Sequence, residues 1–281
     1  MQRASEQTTT SKRGWRSAAP GGAIATIWRH RDLLWKTSLA ELHGNYAGSL
    51  IGLAWLVLGP MVLLSLYASI YIVIFRVRPV ALTQATYVLY IFSGLTPLLG
   101  FTGALAAGTM SLSANRQILL NTVFPAELIP LREVLTNSAA LIVSLCLVCV
   151  LDAFVGRLSL LTLLVPALFV LQIMFVTGLV WILSLVNLVV RDVQMALNYV
   201  NLILLISSPI AYTPDMIPRA LAPLVWLNPV AYFVMSYQRL IVMDALPSWH
   251  LLAGAVAFAL ASFFGGHYLF RRAKRVMVDY A

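Results

Sequence analysis

Apolar residues run in long unbroken blocks, and charged residues are confined to the seams between them. No Asp, Glu, Lys or Arg occurs at 42–75, 79–115, 134–151, 158–190, 193–214 or 245–270. A helix of about 20 apolar residues crosses a hydrocarbon core roughly 30 Å thick. The blocks predict six membrane spans, near 50–75, 86–109, 130–151, 159–187, 194–212 and 249–270. A soluble domain of this size has too little interior to hide so much apolar sequence. The pattern therefore predicts an all-α integral membrane protein.

The segments outside the blocks have their own patterns. Residues 1–22 are rich in Ser, Thr, Gly and basic residues and carry no hydrophobic period, which predicts disorder. Over 23–43, Ile24, Ile27, Trp28, Leu34, Trp35, Leu39 and Leu42 recur at helical steps, and Arg29, His30, Lys36 and Glu41 fall mainly opposite. A basic amphipathic helix with tryptophans on its apolar face is expected to lie in the membrane interface; packing against a soluble partner is the alternative. The seam at about 110–129 reads as a short helix ending at Phe124-Pro125. Segment 213–230 carries Pro214, Pro218, Pro223 and Pro229 among apolar residues, too broken for one crossing helix. Irregular backbone survives at membrane depth only inside protein or beside a water-filled cavity. That predicts a re-entrant pair of half-helices before the last span, with a Pro-rich surface loop as the competing reading. The six-span domain so defined runs over 44–281.

Composition removes alternatives. With 60% hydrophobic and 10% charged residues, no length is left for a soluble catalytic domain. The apolar blocks begin too late for a cleaved signal peptide. The net charge of +9 invites a nucleic-acid reading, but its distribution argues otherwise. If both termini share one side, 14 of the 19 Lys and Arg lie on that side, leaving Arg76, Arg78, Arg157, Arg219 and Arg239 opposite. This bias places both termini in the cytoplasm, where the basic ends meet anionic headgroups of membrane lipids.

No Gly-rich phosphate loop ending in Lys-Ser or Lys-Thr occurs, so ATP binding by that route is not expected of this chain. Neither a His-Glu-x-x-His helix nor a Gly-x-Ser-x-Gly elbow is present. Cys146-x-x-Cys149 lies in an apolar block without His or acid nearby and reads as two small buried side chains rather than a metal site. The acids, among them Glu41, Glu127, Glu133, Asp152, Asp192 and Asp244, fall at span ends or in seams. Ion-coupled carriers keep an ionisable group near mid-membrane. Energy for uphill transport is therefore expected from another subunit.

Several residues are candidates for function. Tyr67, Tyr71 and Phe75, spaced by four, form one stripe on the first span. Such rings stack on sugar C–H faces while a hydroxyl hydrogen-bonds; an interfacial aromatic belt accounts for Tyr71 and Phe75 as well. Asn198, Asn201, Ser207 and Ser208 are polar in an apolar block and suit either a pore lining or interhelical hydrogen bonds. Gly48 and Gly52 form a small-xxx-small pattern fit for close helix packing. Arg191-Asp192 suits a contact with a soluble partner, or a capped turn with a local ion pair.

Four strings, in order, resemble the membrane subunits of ABC exporters for polysaccharides and polyol phosphates, the O-antigen, capsule and teichoic acid permeases. NYAGSLIGLAWLVLGP (45–60) is similar to their entry into the first span. IFSGLTPLLGF (91–101) and NRQILLNTVFPAELIPL (115–131) resemble the second span and coupling helix. VVRDVQMAL (189–197) with SPIAYTPDMIP (208–218) resembles the turn, fifth span and re-entrant entry, and LNPVAYFVMSYQRLI (227–241) its exit. Asn45 stands where an Arg is usual, and Asn121-Thr122 replace a basic pair before Phe-Pro, which shifts weight from salt bridges to apolar packing at the coupling helix.

The resemblance implies a type-2 ABC exporter fold and a homodimer joined by two separate ATPase subunits, which bind the ATP and Mg; this chain would hold no cofactor. A coupling helix near 112–125 would carry Asn115, Arg116, Ile118, Leu119, Phe124 and Pro125, flanked by Glu127 and aided by Arg191 and Asp192. A channel lined by spans one and five would carry a lipid-linked glycan out of the cytoplasm past Tyr67, Tyr71, Phe75, Asn198, Asn201 and Ser208. A related permease for drug, haem or lipid export is the alternative. A membrane-embedded enzyme or scaffold is a third reading, and the enzyme lacks a motif.

Overall fold

The computed structural model of the chain describes residues 22–74, 82–117, 125–157, 159–190, 192–213, 216, 218 and 222–280. All regular structure among the described residues is helical. Two short helices, α1 (Ala23–Arg29) and α2 (Arg31–Asn45), precede α3, which spans Gly52–Ile74 and begins in a 3₁₀ turn and ends in a π turn. Then follow α4 (Gln84–Ala114), α5 (Leu128–Phe154) and α6 (Leu160–Val189), the last opening in a 3₁₀ turn. The chain closes with α7 (Val193–Ser207), α8 (Ala222–Leu227), α9 (Pro229–Ile241) and α10 (Trp249–Tyr280).

Helix starts follow local chemistry. The Thr83 hydroxyl accepts the Thr86 N–H at 3.3 Å, and Asn228 Oδ1 accepts the Val230 N–H at 2.9 Å. Pro229 then occupies the first turn of α9, where a missing N–H costs nothing. Gly48 and Gly52 lie at φ +80° and +58°, left-handed backbone open to glycine without a Cβ penalty. A Cβ at either would meet nothing within 4 Å. They shape the turn into α3 rather than a helix contact, which corrects the packing role expected from their spacing.

Among the described residues, five helices are long and apolar enough to cross a membrane: α3, α4, α5, α6 and α10 over Trp249–Ala273. The fifth predicted span, 194–212, is shorter than expected. Its helix α7 has 15 residues, about 22 Å at 1.5 Å per residue. It ends because Ser208 precedes Pro209, and the residue before proline is pushed to extended backbone; Ser208 sits at φ −83°, ψ 134°. The apolar sequence after it continues as irregular backbone through 213, then as α8 and α9. The expected helix over 23–43 is broken at His30. Leu34 turns inward onto Leu128 and Leu131, whereas Trp28 and Trp35 stay exposed. The tail at 1–21 lies outside the described residues.

α4 is the axis of the molecule. Of its membrane-crossing stretch 72% is buried, against 11% for α3. Around it pack α5, α6 and α9. Phe101, Phe175 and Phe233 stack in series, with centroids 5.4 and 5.5 Å apart, and join α4, α6 and α9 in the main core. A second cluster centres on Trp181, whose ring lies 5.2 Å from that of Phe263 and packs with Leu112, Ile129 and Phe270. The most extensive contact in the molecule joins α6 to α10. A side-chain carbon on Gly266 would run into the Gly178 carbonyl, and one on Gly178 into the backbone of Ser262. Bare glycine surfaces let these two backbones touch, as small residues do between membrane helices.

Candidate functional site

Two regions of the body bring predicted site residues together, one at each end of α4. At the Tyr87 end, the irregular backbone after α7 is held by buried side chains. Tyr87 Oη donates to the Ala211 carbonyl at 2.9 Å, and Tyr90 Oη to the Tyr212 carbonyl at 3.4 Å. Gln238 Nε2, from α9, lies 2.9 Å from the Pro209 carbonyl, 3.2 Å from that of Ile210 and 3.4 Å from that of Tyr90. Asn228 Nδ2 lies 2.9 Å from both Ser207 Oγ and Ser208 Oγ. Buried carbonyls without partners are costly. Side chains of α4 and α9 satisfy these, which is why the chain can leave helical geometry inside an apolar body.

Ser208, expected to line a channel, is thus buried and clasped by Asn228. Asn198 is exposed on α7, and Asn201 is half-buried with an Oδ1 that has no hydrogen-bond partner among the described residues. Tyr67 and Tyr71 are half-buried on α3 against the main core. Phe75 lies outside the described residues. α3 and α7 both rest on α4 and have little contact with each other. They are also amply exposed: Val62, Leu66 and Val73 on α3, and Met195, Tyr199 and Ile206 on α7. The chain by itself therefore does not gather Tyr67 and Asn198 into one lining. Between α3, α4 and α5 lies an open cavity of about 570 Å³, mostly apolar, with Thr96, Asn137 and Ser144 among its walls.

At the other end of α4, residues marked for ATPase coupling flank the undescribed stretch 118–124. Ile118, Leu119 and Phe124 fall in that stretch, and Arg191 is likewise outside the described residues. Asn115 is the C-terminal cap of α4, its Nδ2 donating to the Ser111 carbonyl at 2.9 Å. Arg116 is exposed, Pro125 half-buried and Glu127 buried. Trp181 Nε1 donates to the Glu127 carbonyl at 2.9 Å, fixing the return of the chain onto α6. Asn187 Nδ2 bonds Ser113 Oγ at 3.3 Å, tying the end of α6 to the end of α4. Asp192 is exposed just before α7. Both edges of the segment are therefore anchored on the body.

The same end contains a polar junction that sequence spacing did not indicate. Arg132, on the second turn of α5, pairs with Glu41 of α2, its Nε 2.6 Å from Glu41 Oε2. Its Nη2 also reaches Asn115 Oδ1 at 3.1 Å and Glu133 Oε1 at 3.3 Å. The residues are 91 and 17 positions apart, so only the fold brings them together. Asp152, read as a span end, is fully buried near Arg157 and Asp244, and its oxygens lack hydrogen-bond partners among the described residues. The cysteines depart from expectation: Cys146 is exposed and Cys149 half-buried, on a helix face turned from the core. No group of three metal-ligating side chains occurs among the described residues.

Comparison with known proteins bears on this geometry. No family model matches the chain. The chain is 26% identical over 240 residues to the O-antigen export system permease protein RfbA of Myxococcus xanthus, covering 84% of this chain and 90% of that protein. It is 29% identical over 220 residues to the protein of the same name from Klebsiella pneumoniae, covering 76% and 82% respectively. The likeness read from the four strings holds over most of the chain: this multi-pass membrane protein is similar to ABC-type export permeases.

Proposed function

We propose that the chain is the membrane-spanning subunit of an ATP-driven exporter that moves lipid-linked polysaccharide, of the O-antigen, capsule or teichoic-acid type, across the bacterial cytoplasmic membrane. One observation carries this reading: similarity to export permeases along most of the chain. The same similarity, together with the apolar helical body, supports a translocation subunit.

In this reading two protomers pair, each served by a separate ATPase subunit that binds ATP and Mg. The broad exposed faces of α3 and α7 suit the pairing, because a channel walled by both helices needs a second copy to bring them opposite each other. The re-entrant segment falls near 213–230, with α8 inside it and α9 leading out of it, and the irregular backbone at 208–213 is supported from α4 and α9. Both termini lie in the cytoplasm, α1 and α2 lie along the interface with Trp28 and Trp35 toward lipid, and the segment around 112–125 meets the ATPase. Nucleotide binding shifts the equilibrium between closed and open channels only through its different affinity for the two.

The test is purification of the tagged chain from its native membrane. An ATPase subunit is expected to accompany it, and removal of the chain is expected to abolish surface glycan while lipid-linked glycan accumulates inside. A preparation without a nucleotide hydrolase, or surface glycan unchanged by the deletion, overturns the proposal.

A further inference from the structure

We infer that Arg132 is a positioning residue for energy coupling: it latches the interface helix α2 to the segment that meets the ATPase, and it can change acceptors when that segment moves. The inference rests on the function proposed above.

The guanidinium is only 11% exposed and sits where α2, the end of α4 and the start of α5 converge. Glu41 takes the ion pair, with Oε2 2.6 Å from Nε and Oε1 3.1 Å from Nη2. Nη2 also faces Asn115 Oδ1 at 3.1 Å and Glu133 Oε1 at 3.3 Å. That nitrogen carries two N–H groups and confronts three acceptors, so it cannot serve all three well at once. Charge is uneven in the same way, since one guanidinium serves two carboxylates. Thr136 reinforces the α2 side: its Oγ1 donates to the Arg132 carbonyl at 3.0 Å and lies 3.4 Å from the Ser38 carbonyl.

This surplus of acceptors has a mechanical meaning. A buried charge stripped of its partner is strongly disfavoured, so a guanidinium with a single acceptor would resist any displacement. Here Asn115, the C-terminal cap of α4 within the coupling segment, can withdraw from Nη2 while Glu133 Oε1, at 3.3 Å, keeps that nitrogen occupied. The guanidinium remains paired to α2 and α5 throughout. A push delivered beyond Asn115 is thus registered at the same atom that holds the interface helix.

The test compares ATP hydrolysis with glycan export in proteoliposomes containing the whole complex. Arg132→Gln is expected to leave assembly intact and hydrolysis within about twofold while export falls by about tenfold, within the range usual for coupling between sites. Arg132→Lys keeps the charge but loses the fork, and a smaller rise in ATP consumed per glycan is expected. The reversed pair Glu41→Arg with Arg132→Glu preserves the charge count and is expected to recover most of the export lost by Arg132→Glu alone. Hydrolysis and export falling by the same factor, a ratio unchanged in every variant, or a reversed pair as inactive as the single variant overturns the inference. If the wild-type chain carries no ATPase, the proposed function fails and takes this inference with it. If the wild type couples normally and the variants match it, this inference alone fails.

Discussion

Gly94 and Gln238 divide one space between them. A side-chain carbon on Gly94 would lie 2.5 Å from Gln238 Nε2 and 3.2 Å from its Cδ. The amide cannot swing aside freely, because it is held to the carbonyls of Pro209 and Ile210. Gly94→Ala is therefore expected to strain the crossing of α4 and α9 by about 1–3 kcal/mol, the usual cost of overpacking. A lowered melting temperature in detergent, with Gly103→Ala unaffected, checks this, since Gly103 has open space around it.

Gln238→Leu removes the donor that serves the break after α7 and leaves buried carbonyls without it. The expected loss is about 1–3 kcal/mol, the desolvation cost of a buried unsatisfied group. Tyr87→Phe deletes one bond to Ala211 and is expected to cost less, about 1 kcal/mol. Proteolytic cleavage within 208–221 should accelerate in the order wild type, Tyr87→Phe, Gln238→Leu; equal rates would show that the break is held by other contacts.

Gly265 and Gly266 are neighbours with opposite expectations. Gly265 has no atom within 4 Å of a built side-chain carbon, whereas Gly266 abuts the Gly178 carbonyl. Gly265→Ala should leave assembly unchanged. Gly266→Ala should destabilise the α6–α10 pair by about 1–3 kcal/mol or more, because backbone cannot yield as a side chain does. Comparative thermal unfolding of the two variants decides it.

Tyr67→Ala tests the sugar-stacking role on α3. Export is expected to fall about tenfold, as when about 1.4 kcal/mol of contact is lost, with ATPase association retained. Surface glycan equal to wild type would remove Tyr67 from the channel.

The lipid-spanning character of the chain was legible because charge-free blocks of 18 residues or more have one physical meaning. α3, α4, α5, α6 and α10 follow those blocks closely. The fifth span was overextended because apolar composition runs unbroken through Ser208-Pro209, while the backbone does not. Periodicity reports which residues avoid water, and it is blind to where hydrogen-bonded helix stops. Gln238 and Asn228 were missed for a related reason. A buried amide serving distant carbonyls leaves no spacing signal, and their partners lie 20 to 29 positions away, or 148 for Tyr90. Glu41 was visible as a charge on the polar side of the 23–43 helix and Glu133 as a span-end charge, and no spacing joined either to Arg132. Local geometry also reversed one reading: Gly48 and Gly52 have the spacing of a packing motif, and their positive φ makes them turn residues.

The bare seam between Gly178 and Gly266 sets a limit on how the molecule can work. Two rods that meet backbone to backbone, with Ser262 Oγ fastened to the Phe175 carbonyl at 2.8 Å, have no compressible layer through which to slide. α6 and α10 behave as a keel. In the exporter proposed above, rearrangement is expected in the sparsely packed α3 and the interrupted α7, with that seam as the fixed reference.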